Sequence, residues 1–547
     1  MYPKILRRYH EESQRKKHVI ASAKTKSASQ WHIPHVILAP MKTEQKTFNL
    51  ILAVAAIFYL IFIISTSFVI NAERYFTLVD DAMISMRYAQ HLAQGYGLVW
   101  NIGEAPVEGF TNLGWTLYMT FLHLFPIPAS KISLAVMLTS LVILLANIII
   151  VYKISENLLP DSKYAPMLAA IITAFYFPLV FWSLRGMEVG LLTLLVNLSI
   201  LLAISQNKTI LISIVLALAI LVRVDAIIPA ALIALYLFAK NKRSAFVPAI
   251  AIIITTFAIL LFQQNYFGDF LPTTYYQKVT GFSTLDRIRH GILVFNQFAT
   301  RDTLFLFLFS LAGIFFFKLQ RNREALLLLG IFLAQCAYSI YVGGDYAEPE
   351  TNAANRFITQ GMPALIILFS WMTSRVLPTL ITDQPQLTFS KPKANPAIPL
   401  ALVTLIIISG EAWFNYSIDN APLLKADIRR VKLGLHIAEN TSPEAVIAVH
   451  AAGQIPYYSE RATIDLLGLN DPVVAKGTGH GEFYPGHNKW DYGYSIGELQ
   501  PDLIADNFAP LAAFMQGNEQ YTKLKNGIYI RNDSSLIDTN GLSKEYR

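Results

Sequence analysis

The sequence is poor in charge. Of its 547 residues only 15% are Asp, Glu, Lys or Arg, against about 25% in soluble globular proteins. It has one cysteine, Cys336. A disulfide framework is therefore excluded, and cysteine usage says nothing about redox compartment. No internal repeat of the transporter kind is visible. No cleavable signal is expected either. The first apolar stretch, 47–71, is too long for a signal core and lies behind a long tail, so it reads as a signal anchor. What the chain has in excess is apolar side chains: 54% are hydrophobic, and the mean hydropathy is +0.42. This composition excludes a disordered chain, a secreted disulfide scaffold and an ordinary soluble enzyme. It predicts a polytopic α-helical membrane protein with some water-exposed mass.

The net charge of +7 is unevenly placed. Residues 1–46 carry ten Lys and Arg against Glu11, Glu12 and Glu44. This basic tail is read as cytoplasmic, fixing topology by the positive-inside rule, and not as a nucleic-acid arm. Spanning helices need about 20 apolar residues. The candidates are 47–71, 131–152, 165–182, 189–205, 246–264, 303–317, 325–342, 357–374 and 398–414. Residues 113–126 are short and aromatic-rich. Residues 209–239 are too long for one upright span and contain Arg223 and Asp225, read as a structural pair.

The clusters Lys240-Lys242-Arg243, Lys318-Arg321-Arg323 and Lys391-Lys393 are expected to face the cytoplasm. Two topologies, each with about 11 transmembrane helices, satisfy this. The preferred one lays 113–126 along the outer surface and makes 209–239 a hairpin of two short helices. The other lets 113–126 span and makes 209–239 one long helix. The first avoids burying Arg185 and Glu188 mid-helix in lipid, which is costly. It delivers 72–130, 183–188, 223–225, 265–302, 343–356 and everything after 415 to one outer face. The expected domains are the tail 1–46, a membrane domain 47–414 with its first outer loop 72–130, and a soluble domain 415–547. Residues 375–396 form a cytoplasmic connection. In the soluble part, β-like runs at 445–449, 462–466, 503–505 and 527–531 alternate with helical stretches at 425–439 and 508–516. That pattern predicts a compact α/β module.

The first outer loop opens with Asp80-Asp81. Adjacent carboxylates there fit a helix N-terminus capping Ala82–Ala93, a general base or a divalent-cation site. Two carboxylates without His or Cys leave such a metal unspecified, and no cofactor is required by the sequence. Glycines, aromatics and amides then alternate through Gly95, Gly97, Trp100, Asn101, Glu108, Thr111, Asn112 and Trp115, a mixture suited to holding sugars and equally to an interfacial aromatic belt. In the tail, His480, Glu482, His487 and Asp491 match no closed zinc spacing. The segment 477–494 is read instead as reaching toward the membrane to help bind an acceptor glycan.

The run from Asp80 to Trp115 resembles the first periplasmic loop of GT-C glycosyltransferases, and especially the mycobacterial terminal arabinofuranosyltransferase family and its bacterial relatives. The resemblance continues through Trp182–Glu188, Tyr266–Lys278, Gly343-Gly344-Asp345 with Arg356-Phe357, Ile464–Asp471 and Gly486–Lys489. It implies a polyprenyl-phosphate-sugar donor, inverting transfer at the outer face, and a glycan or glycolipid acceptor. It implies a multi-pass protein of the bacterial inner membrane, with its N-terminus cytoplasmic and its C-terminal domain periplasmic, in contact with lipid and not with nucleic acid.

The roles follow from the chemistry that the resemblance implies. Asp80, with Asp81 close behind, is the expected base, and the same pair would hold a metal if one is used. Lys278 and Arg356 are expected to steady the departing lipid phosphate. Glu188, Tyr275, Tyr276, Asp345, Glu108, Asn112 and His487 are expected to contact substrate. The competing reading is a transporter or flippase of lipid-linked sugars. That would need ionisable groups at the bilayer midplane and access from both faces, whereas the polar residues here gather toward one face. An anchored glycan-binding scaffold would need far fewer spans.

Overall fold

The structure is a computed structural model. It describes residues 42–205, 208–345, 355–382, 396–417, 422–505 and 509–544. The tail through residue 41, the Lys391-Lys393 cluster and most of the 375–396 connection lie outside the described residues. The chain divides into two units, Met1–Ile51 and Leu52–Arg547; the first long helix begins in the first unit, and the cavity and the C-terminal sheet lie in the second.

Among the described residues, five helices are long and apolar enough to cross a membrane: Glu44–Ser65, Ala129–Leu158, Lys242–Phe267, Arg323–Val342 and Ala397–Phe414. The pair Ala165–Phe175 and Phe177–Leu184, bent by 48°, is apolar enough to make a sixth if its two halves cross as one span. Pro178 enters at the start of the second half. It cannot donate a hydrogen bond back along the helix, so the axis breaks there. Val189–Ser205, Thr209–Val222, Leu304–Phe316 and Met362–Val376 are shorter apolar helices. Side chains such as Ile253, Phe257 and Ile406 stay exposed on the long helices, as expected where lipid is the solvent.

Residues 209–239 form two helices, Thr209–Val222 and Ile227–Lys240, separated at Arg223–Ala226. Both pack on Lys242–Phe267. Lys240 Nζ donates to Ala203 O at 3.1 Å, so the second leg returns to the level from which the first departs. Arg223 and Asp225 therefore sit at the apex. The helix Leu113–His123 has 11 residues. That is about 16 Å of helix, well short of a hydrocarbon core of about 30 Å. It packs against the helix Asp80–Ala93.

The first long helix ends at Ser65, not at 71. Two short strands follow, β1 (Phe68–Ile70) and β2 (Glu73–Tyr75), paired antiparallel. Asn71 and Ala72 make the reversal at φ of 48° and 65°. A short apolar run does not by itself distinguish strand from helix.

The C-terminal part opens with the helix Pro422–Asn440 and builds a five-stranded mixed sheet. Its strands are β3 (Val446–Val449), β4 (Ala462–Asp465), β5 (Leu503–Ile504), β6 (Tyr521–Lys523) and β7 (Tyr529–Arg531), in the order β4-β3-β5-β7-β6. β3 runs parallel to β4 and β5, while β7 runs antiparallel to β5 and β6. β6 carries no clear sequence signal, because Tyr521–Lys523 has one inward residue and two exposed ones.

One continuous core joins this sheet to the first loop. Tyr88, Leu98, Trp100 and Phe110 pack with Ile447, Val449, Ile455 and Leu503. Arg87 is buried in the seam and donates to Trp100 O, Pro456 O and Arg461 O, at 2.8, 2.7 and 2.8 Å. Asn101 Oδ1 accepts from Thr463 N at 3.0 Å. The soluble domain is thus fused to the loop that carries the paired aspartates.

Candidate active site

The helix Asp80–Ala93 begins at Asp80 itself. Val79 occupies the cap position and makes no side-chain cap bond. Neither aspartate is therefore the cap. Both lie in the first turn, where the helix dipole favours negative charge. Beside them opens a cavity of ≈ 380 Å³, within the usual range for small-molecule sites.

Asp81 lines this cavity, as do Lys278, Asp345 and Arg356. Arg356 Nη1 donates to Asp81 Oδ2 at 2.8 Å. Its Nε lies 3.1 Å from Asp345 Oδ2, and its backbone N–H donates to the same oxygen at 3.2 Å. The guanidinium also sits 5.4 Å from the Trp182 ring centre. One arginine therefore ties together three blocks far apart in the chain.

The carboxylates differ in environment. Burial pushes the Asp81 carboxyl upward, but Arg356 and Lys278 outweigh it and hold the group below its ordinary value. Asp80 is not among the residues lining the cavity. Its Oδ1 accepts from Gln454 N at 2.9 Å. Burial, opposed by Arg430 and that hydrogen bond, raises it to about 6. Asp80 shares a helix face with Ile84, four residues on, and Ile84 does line the cavity. Lys278 is lowered to about 8, chiefly by burial and then by Arg356. Asp345 is raised by burial.

A second polar group lies along the same cavity. Arg223 Nη1 donates to Glu188 Oε1 at 2.7 Å, and its Nη2 donates to Asp225 Oδ2 at 2.7 Å. Asn112 Nδ2 donates to Glu188 Oε2 at 2.9 Å, and its Oδ1 accepts from Ser85 Oγ at 2.9 Å. Local pairing of Arg185 with Glu188 does not occur. Gly186, at φ 94°, turns the chain between them, and Arg185 pairs with Asp427 instead. Arg223 and Asp225, expected to be purely structural, both line the cavity.

Glu108 accepts from Gln263 Nε2 at 2.8 Å, and burial raises it to about 8. It is therefore largely protonated at neutral pH. Glu108→Gln should leave turnover nearly unchanged and remove one source of pH-dependent stability. With its pKa raised in the folded state, the wild-type carboxyl stabilises fully below its unfolded pKa, and that contribution is lost as pH rises through about 8. Thermal unfolding of both forms from pH 5 to pH 9 checks this; identical slopes would refute it.

Tyr275 lines the cavity and Tyr276 does not. Tyr276 OH donates to Asp269 Oδ1 at 2.8 Å, and Lys476 lies over its ring at 4.7 Å. His487 is also outside the lining, with Nδ1 3.0 Å from Pro485 O. Its charge still acts on Asp81, and Pro485 closes that side of the cavity. Ile227, Ile228, Ile259, Leu260 and Leu271 make an apolar part of the lining.

Among the described residues no group of three or more His, Cys, Asp or Glu converges as a metal site. Asp81 already faces two cations, and Asp80 is engaged by a backbone N–H.

Sequence reasoning missed Asp427, Gln454, Arg430 and Gln263. Only their positions after folding bring them to this region.

A bundle of broken and unbroken apolar helices, a first-loop helix with paired carboxylates at a cavity, and a small C-terminal sheet domain define a polytopic α-helical membrane protein with the GT-C type of fold. The solved structures it resembles are of that kind. ArnT from Cupriavidus metallidurans, in the apo state, superposes with a TM-score of 0.51 at 12% identity, covering 90% of this chain and 99% of that one. The same enzyme bound to undecaprenyl phosphate gives 0.50 at 12% identity, covering 90% and 98%. The archaeal oligosaccharyltransferase AglB from Archaeoglobus fulgidus, in complex with an inhibitory peptide and a dolichol-phosphate, gives 0.53 at 11% identity, covering 84% and 69%. Residues 422–543 match a family described as a domain of unknown function, DUF8728. No curated protein matches the sequence.

Proposed function

We propose that this protein is an inverting glycosyltransferase that uses a polyprenyl-phosphate-linked sugar. The observation that carries this reading is the convergence of Asp81, Asp345, Lys278 and Arg356 in one cavity between apolar helices and a soluble domain. The sugar phosphate sits against Lys278 and Arg356, with its lipid along the apolar wall. The acceptor hydroxyl oxygen forms a bond to the anomeric carbon as the carbon–oxygen bond to phosphate breaks. The lipid phosphate leaves with the electron pair, and its charge is met by the two cations. The hydroxyl proton passes to Asp80.

In-line displacement places the base away from the leaving phosphate. Asp81 is paired to Arg356, one of the two proposed phosphate-binding cations, and is held below its ordinary value, which makes it the weaker base. Its role is to hold Arg356 and Lys278 in place. The ArnT structure with undecaprenyl phosphate and the AglB structure with dolichol-phosphate support a lipid phosphate as the shared donor chemistry. The resemblance of the first loop to arabinofuranosyltransferases favours a pentofuranosyl donor and an envelope glycan or glycolipid acceptor.

Protein purified in detergent, given radiolabelled polyprenyl-phosphate sugars, should release polyprenyl phosphate. Asp80→Ala and Asp81→Ala should abolish release in folded protein; normal activity in both would refute the roles. Lys278→Met should weaken donor binding, and unchanged affinity would remove Lys278 from the site.

The pH profile of kcat/KM should be bell-shaped. Its acid limb follows ionisation of Asp80 near pH 6, and its alkaline limb follows loss of the Lys278 charge near pH 8. Lys278→Arg, which stays charged, should erase the alkaline limb only.

The proposed membrane is the bacterial inner membrane, with the cavity and C-terminal domain on the periplasmic side. Cysteine labelling, after Cys336 is replaced, should reach positions flanking Asp80 from the outer face alone. Access from both faces would favour a transporter.

A further inference from the structure

Behind the paired aspartates lies a second buried layer that the proposed reaction does not use. Its hub is Asp427, on the first helix of the C-terminal domain and 1% exposed. One carboxylate oxygen pairs with Arg185 and the other accepts from Gln454 Nε2 at 2.6 Å. Arg430 lies 3.6 Å from that same oxygen. Arg185 Nη1 also donates to Thr77 O at 3.1 Å, and Arg185 O accepts from Val79 N at 3.0 Å. Gln454 Nε2 donates to Leu78 O at 2.9 Å, and Gln454 N donates to Asp80 Oδ1 at 2.9 Å. The backbone at Thr77, Leu78 and Val79 and the side chain of Asp80 are thus each held, from one side by the membrane domain and from the other by the C-terminal domain. The fit leaves no slack. A Cβ on Gly453 would lie 1.9 Å from Asp80 O.

We propose that Gln454 and Asp427 are positioning residues for Asp80, so that the C-terminal domain sets the aim of the reacting carboxylate instead of merely binding acceptor. Asp80 begins its helix, where backbone constraint is weakest, and Val79 gives no side-chain cap. The restraint that the helix lacks is supplied by the Gln454 N–H and by the bonds that fix Gln454 itself. The side chain is held between Leu78 O and the Asp427 carboxylate, and Arg185 neutralises that carboxylate. A buried carboxylate with these partners is costly to leave half-satisfied, so the layer is rigid only when both domains contribute.

The inference rests on Asp80 being the base, and the test separates the two claims. In full-length protein, Gln454→Ala should lower kcat by about tenfold or more, because small misplacements of a reacting group are expensive. Donor KM should stay within about twofold. Gln454→Pro, placed at the first helical position where proline is tolerated, also removes the N–H and should lower kcat further. In an Asp80→Asn background the same Gln454 substitutions should have no additional effect, because the residues would act through one group.

Equal losses from Gln454→Ala in the wild-type and Asp80→Asn backgrounds would overturn the positioning role and leave the base assignment standing. Wild-type turnover in Asp80→Asn alone would overturn the base assignment. Should Gln454→Ala lose thermal stability, Asp427→Asn, which keeps the shape and one acceptor oxygen, gives the same readout. A normal kcat in stable Asp427→Asn protein would also count against the proposal.

Discussion

Asp80→Asn should lower turnover by roughly 10²–10⁴-fold while donor binding stays close to wild type. The substitution is nearly isosteric, and its amide oxygen still accepts the Gln454 N–H that Asp80 Oδ1 accepts. Only the capacity to take a proton is lost. The expectation follows from the contrast between neighbours. Asp81 is held ionised by Arg356 and Lys278, whereas Asp80 faces burial and a partly compensating cation. When two adjacent carboxylates are pushed apart in this way, the one titrating nearer neutrality is the better acid–base group. Single-turnover transfer with labelled donor measures the loss, and filter binding of the donor measures what remains. A residual rate above about a tenth of wild type would contradict the role.

Arg356→Met should be the most damaging single change to stability. Arg356 is 6% exposed and pairs with Asp81 and with Asp345, which are 24% and 1% exposed. Methionine keeps much of the packing against Trp182 but removes the ion-pair partner of both carboxylates, leaving Lys278 as the cation that still acts on them. Breaking a buried pair from one side costs about 3–5 kcal/mol.

The pH dependence gives the sign. In wild type the depressed Asp81 pKa supplies stability above its unfolded value, lost as pH falls through the folded one. In the variant the unpaired carboxylates prefer to be protonated, so the deficit should be greatest at alkaline pH and shrink toward pH 5. Thermal unfolding of detergent-solubilised protein across that range measures it. A deficit independent of pH would show that Arg356 acts through packing alone. Donor binding should be lost in parallel, because the proposed phosphate site loses one of its two cations.

The sequence made much of this legible, and unevenly. The long apolar helices follow from composition and span length. The α/β character of the tail follows from short β-runs alternating with amphipathic stretches, and four of its five strands lie where those runs are. The break between Arg223 and Ala226 follows from charge in an otherwise apolar stretch.

The second buried layer was not legible. Asp427 and Arg430 are three apart on an amphipathic helix, the usual signature of a solvated ion pair. Nothing local announces that docking will bury Asp427 against Arg185, 242 residues away. The Arg223 triad escapes a sequence reading for the same reason. Its local partner, Asp225, is visible in sequence, whereas Glu188 arrives only when the helices pack. Tyr275 and Tyr276 are adjacent and chemically alike, so only the fold decides that one lines the cavity and the other bonds Asp269.

Composition and order of residues suffice to put this chain in a membrane, to locate its apolar helices, and to set aspartates, a lysine and an arginine outside them, because transfer of apolar surface and the cost of charge in lipid act on each segment separately. Tertiary structure decided which of those charges meet. Asp81 and Arg356 are 275 residues apart, and their contact depends on the packing of helices whose apolar faces carry no record of partner or register.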